Sequence, residues 1–138
     1  MNYEEKKRWL KRYQEALREE AELEDELKQL RADVERITPL LSDAPGGGSN
    51  RERIPKGVER IVEVQQRIQE QIVSAQKARA EIVAVIDRVR PARGREILRR
   101  RYLLGQRWEE IAYVMHIDFS WLMRLHKRIV VGLDVDPH

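Results

Sequence analysis

The 138-residue chain has no cysteine, one phenylalanine and three histidines, and aromatic side chains make up only 6% of it. Without thiols there are no disulfides and no thiolate-bound metals, which fits a reducing compartment. His116 and His126 stand ten positions apart, a spacing that matches no compact ligand pattern, so no metal site is expected. There is also no glycine loop for phosphates and no nucleophile set beside a base, which argues against an enzyme and against a bound cofactor. No stretch approaches the roughly 18 apolar residues of a membrane span, and the opening MNYEEKKRW carries charges where a signal peptide has an apolar run. A soluble, cytoplasmic protein without membrane contact is the expectation.

Charge is what the chain has in abundance, at 37% of residues. Lys and Arg number 9 against 12 Asp and Glu in residues 1–44, 8 against 6 in 45–89, and 10 against 6 in 90–138. The cationic end is also the aromatic end. WEEIAYVMHIDFSWLMRLHK, residues 108–127, holds two of the three tryptophans, the only phenylalanine and two of the histidines. A cationic, aromatic segment points to a polyanionic partner.

From Trp9 onward, steps of four and three meet Trp9, Tyr13, Ala16, Glu20, Leu23, Leu27, Leu30, Val34 and Ile37, a heptad pattern broken only by Glu20. Pro39 disfavours helical geometry at Thr38, so this helix is expected to stop there. Residues 39–57, PLLSDAPGGGSNRERIPKG, read as a flexible loop. A second stripe follows in Val58, Ile61, Gln65, Ile68, Ile72, Ala75, Arg79, Ile82, Ile86 and Val89, with Pro55 suited to a first turn and Pro91 at the exit. Two equal helices joined by a loop predict an all-α protein whose residues 1–90 form a long antiparallel helical hairpin, a coiled coil that also offers a route to a homodimer. Glu20 and Arg79 interrupt the stripes. They either pair and fix the register or carry their charged ends out to water. The dense carboxylates at 19–26 are a solvated salt-bridge face rather than paired catalytic acids.

Residues 91–138 predict a separate C-terminal domain. ARGREILRRRYLL, residues 92–104, forms a helix capped by Gly105; Trp108 to about Met115 forms a second, with Ile111, Ala112 and Met115 inward. Asp118 caps a third helix from Phe119 to about Val131, whose inward stripe is Leu122, Leu125 and Ile129, while Ile117 plugs the turn between them. Short helix, tight turn and second helix make a helix-turn-helix, a motif whose second helix enters the DNA major groove.

The stretch ILRRRYLLGQRWEEIAYVMHIDFSWLMRLHKRIV resembles the C-terminal part of phage late-transcription regulators of the ArpU kind, themselves similar to region four of bacterial sigma factors. The shared features are RY followed by a glycine, then WEEIA, an apolar residue in the turn, and RLHK on the last helix. The preceding hairpin fits the layout of a family of small phage proteins of uncharacterised function. The resemblance implies a DNA-binding transcription regulator in a bacterial host cell, with RNA polymerase as a second partner. Nothing in residues 1–90 resembles the promoter-melting part of a sigma factor. FSW also stands where smaller polar residues are common, so no base preference carries over.

Phe119, Ser120, Trp121, Arg124, Lys127 and Arg128 are the candidate DNA-binding residues. Arg124 is placed to reach a guanine edge, Lys127 and Arg128 to meet phosphates, and Phe119 and Trp121 to touch thymine methyls or the backbone. The alternatives are a solvated face for the cations and packing against the hairpin for the two aromatics. Arg99, Arg100, Arg101 and Arg107 form a second basic group, of which Arg99, Arg100 and Arg107 are candidate phosphate contacts; helix-end electrostatics explain them equally. Trp108 is expected in the core, His116 in a turn, and His126 packed or hydrogen-bonded. Two rivals to a regulator remain open: the small recognition subunit of a phage DNA-packaging motor, and a coiled-coil protein adaptor that does not bind DNA.

Overall fold

A computed structural model of the chain describes residues 1–43 and 48–135, with side chains for 1–37 and 55–135. The described residues are all-helical: α1 (Tyr3–Asp43), α2 (Gly48–Ile86), α3 (Ala92–Leu98) running into a π-helical turn (Arg99–Leu103), α4 (Trp108–Met115) and α5 (Phe119–Val131). No helix among them is long and apolar enough to cross a membrane. They group into two units, Leu17–Val73 and Met1–Ala16 with Ser74–His138.

In the Leu17–Val73 unit, α1 and α2 run antiparallel around Leu27, Val64 and Ile68, flanked by Leu23, Leu30, Ile61 and Ile72. Arg60 pairs across the helices with Glu26 at 2.6 Å, and Gln71 donates to Glu19 at 3.0 Å. The expected loop is largely helix: α1 passes Pro39 and α2 contains Pro55, well beyond its first turn. Each proline forfeits an i→i−4 bond, at about 3 kcal/mol in a helix interior. Close to Pro55 the two helices approach tightly: a Cβ added at Gly57 would lie 2.8 Å from Val34 Cγ2. Residues 44–47 of the expected loop lie outside the described residues.

The α2 seam also differs from the expected stripe by one position at two turns. Val64 and Ala78 are buried, so Gln65 and Arg79 face solvent. Steps of three and four admit either choice, and burying the apolar neighbour avoids desolvating an amide and a guanidinium. Arg79 therefore carries its charge to water, and Glu19, the residue next to Glu20, accepts from Gln71.

The other unit shows that residue 90 is not a boundary. Leu10 on α1 and Ile82, Val85 and Ile86 on α2 share one core with Leu98, Tyr102 and Val130, and the tail after α5 returns Leu133 and Val135 to it. A second cluster, Ile97, Ile111, Ile117 and Leu122, joins α3, α4 and α5, with Trp108, Ala112 and Met115 packed against it. Arg12 and Glu81 link α1 to α2 at 2.7 Å. Gly105 takes φ +71°, the left-handed geometry expected of its capping role, and Gln14 of α1 donates to the freed carbonyl of Leu103 at 3.1 Å.

The buried stripe of α5 is Leu122, His126 and Val130, with Leu125 and Ile129 only half-buried. His126 is 3% exposed; its Nε2 lies 2.6 Å from the Tyr102 hydroxyl, and Trp108 meets its ring edge-on at 4.5 Å between centroids. Burial raises the Tyr102 hydroxyl well above its ordinary range, so it stays protonated while it shares a hydrogen bond with Nε2. Burial first, then the cations Lys7, Arg101 and Lys11, lower the imidazole to about 4. The unfolded chain takes up this proton near pH 6.5 and the folded one only near 4, so stability is full above 6.5 and falls as pH drops between the two. The free energy of unfolding is expected to fall by about 2 kcal/mol between pH 7.5 and 5, read from denaturant titrations. A Tyr102→Phe, His126→Gln double variant should flatten that slope; an unchanged slope would place the titration elsewhere.

Candidate nucleic-acid interface

The order of α5 starts with Asp118, whose carboxylate accepts the Trp121 backbone N–H at 3.3 Å. Before it, α4 ends on His116 in the left-handed region at φ 55°, and the Ile117 N–H bonds back to the Ala112 carbonyl at 3.0 Å. That closure drops Ile117 into the α3–α4–α5 cluster and turns the chain within three residues. With Leu122, His126 and Val130 facing inward, the opposite face of α5 is set by arithmetic of 3.6 residues per turn.

All six candidate residues on α5, Phe119, Ser120, Trp121, Arg124, Lys127 and Arg128, are solvent-exposed. Phe119 is 44% and Trp121 39% exposed, so neither packs into a core of the unit. The guanidinium groups of Arg124 and Arg128 lie 5.5 and 5.9 Å from the Trp121 ring centroid. An indole flanked by two cations holds them in one neighbourhood while leaving their N–H donors free of carboxylates. Neither arginine forms an ion pair among the described residues.

The second basic group divides. Arg99 and Arg107 are exposed. Arg100 is half-buried, paired with Glu96 at 3.3 Å and bonded to Gln106 at 3.4 Å, so its charge already has a partner within the unit. Arg101 donates to the Gln106 carbonyl and lies 4.7 Å over the Trp108 ring, which makes it part of the support for α4. Glu109 and Glu110 occupy the first turn of α4 and oppose an anion there.

The first turn of α1 supplies cations that the sequence reading did not include. Lys127 lies 5.5 Å from the Tyr3 ring and Lys7 4.9 Å from it, while Lys6 donates to the Val131 carbonyl at 2.7 Å. The cationic surface of α5 thus continues onto residues 120 positions away in sequence. KKRWLKR, residues 6–12, carried the signal, but it was averaged away in an N-terminal segment of net negative charge.

Comparison with family models, curated proteins and solved structures found no match to the chain.

Proposed function

We propose that the chain is a sequence-specific double-stranded DNA-binding protein, a phage or prophage transcription regulator similar to sigma factor region four, acting in the bacterial cytoplasm without catalysis of its own. The observation that carries this reading is the two-sided α5, whose Leu122, His126 and Val130 are buried while Phe119, Ser120, Trp121, Arg124, Lys127 and Arg128 stand open to solvent. In a helix-turn-helix reading, α5 enters the major groove. Arg124, a little over one turn from the helix start, meets a guanine edge; Lys127 and Arg128, with Lys6 and Lys7 of α1, meet phosphates. Phe119 and Trp121 provide apolar contact with thymine methyls or sugars.

RNA polymerase enters as a second partner through the outer face of α4, where Tyr113 is 82% exposed beside exposed Val114. A homodimer would pair through faces other than the α1–α2 seam, since Leu27, Val64 and Ile68 are already buried within one chain. A ring of many subunits in solution would favour the DNA-packaging reading over the regulator.

Selection of bound fragments from random duplexes at near-physiological salt tests the proposal. An enriched motif is expected, and Arg124→Ala should relax it at one position, at about 1–3 kcal/mol of lost discrimination. No enrichment with either protein would favour the adaptor reading instead.

A further inference from the structure

Behind the α5 surface, the same unit contains a half-open cleft of about 640 Å³. Its apolar wall is built from Val89 at the end of α2, Ile97 of α3, Leu125 and Ile129 of α5, and Leu133 of the tail. Gly94 lies at its base, where even a methyl group would approach Val89 at 3.0 Å and Ile129 at 3.3 Å, so the cleft ends on closely packed atoms. Four arginines, Arg88, Arg90, Arg93 and Arg128, are among the residues that line it, with Asp134 the one acidic residue there.

None of these arginines forms an ion pair among the described residues. Arg88 spends its Nε–H on the Ala84 carbonyl at 3.2 Å, and Arg90 bonds the Asp87 and Val89 carbonyls at 3.1 and 3.0 Å. Among the described residues Arg93 has no such bond, and the Arg128 guanidinium lies 5.9 Å from the Trp121 ring centroid. An apolar wall bordered by four arginines that form no ion pair among the described residues favours one chemistry: an apolar body ending in an anion. The volume lies within the range of sites for small organic ligands and is too small for a folded partner.

We propose that this cleft binds a small amphipathic anion, an aromatic or aliphatic acid, whose headgroup is held by Arg88, Arg93 and Arg128. Arg128 lines the cleft and also belongs to the proposed DNA face, so occupancy draws one cation from that face and weakens duplex binding. This last consequence rests on the proposed function; the binding site does not.

Two fluorescent probes that differ in one group separate the terms: 8-anilinonaphthalene-1-sulfonate and its neutral parent, N-phenyl-1-naphthylamine. With the full-length chain, the sulfonate is expected to bind saturably at one site and at least tenfold more tightly than the neutral probe. The Arg88→Ala, Arg93→Ala variant changes exposed residues and is expected to keep the same circular dichroism. It should weaken sulfonate binding about tenfold and leave the neutral probe unchanged. Equal affinity for the two probes, non-saturable binding, or an unaffected variant would overturn the site. Duplex titration with and without saturating sulfonate reads the coupling, with a several-fold loss of DNA affinity expected. Unchanged DNA affinity with the probe bound would overturn the coupling alone, and a chain that binds the probe but no DNA would refute the proposed function alone.

Discussion

A chain in which Arg124, Lys127 and Arg128 are all alanine is expected to bind duplex DNA at least about a hundredfold more weakly, with the slope of log affinity against log salt reduced by about 2 to 3. The three cations are exposed on α5 and form no ion pair among the described residues, so each is available to replace a counterion at a phosphate or to donate to a base edge. Net charge alone would also lower affinity, because the change takes the formal charge from +3 to zero. A second variant, Lys28→Ala, Arg31→Ala, Arg67→Ala, removes the same charge from exposed positions on α1 and α2. It should change affinity by less than about threefold at physiological salt, where charges beyond roughly 8 Å are screened. Equal losses in the two variants would reduce the interaction to undirected electrostatics.

The second large effect concerns folding. A fragment of residues 91–138 is expected to be largely unfolded, with weak helical circular dichroism and no cooperative thermal transition. It would lack Leu10, Ile82, Val85 and Ile86, exposing the sides of Leu98, Tyr102, Val130 and Leu133 that they cover. A chain of this length has too little remaining core to offset its conformational entropy. In the full chain, Leu10→Ala should cost about 2–5 kcal/mol, the range for emptying a fully buried leucine site. Leu23→Ala, on the half-buried flank of the Leu17–Val73 seam, should cost less. A cooperatively folding fragment would restore the boundary at residue 90.

Local rules made the α3–α5 region legible in sequence. Asp118 caps α5, Gly105 adopts positive φ, Ile117 fills the turn and Trp108 packs inward, each for a reason contained within a few neighbouring residues. What was not legible depended on packing between distant segments. Periodicity could not distinguish Val64 from Gln65, since both satisfy steps of three and four. It also could not place His126 in a core, because a histidine is accepted there only once Tyr102 supplies a hydrogen bond and Trp108 a ring edge. Arg100 reads like its neighbours in RRRY, and only the placement of Glu96 and Gln106 commits it inside. Pro39 and Pro55 end helices in most settings, but here α1 and α2 run through them, and Gly57, two residues past Pro55, lies against Val34 of α1.

The most direct test of α5 as the DNA-contacting element is an NMR titration of the 16.4 kDa, isotope-labelled chain with the duplex recovered by selection, or with a random-sequence duplex if none is enriched. Amide shifts are expected to concentrate on residues 119–128 and to extend to Lys6 and Lys7. A titration that leaves residues 119–128 unmoved, or shifts only the Leu17–Val73 unit, would contradict it.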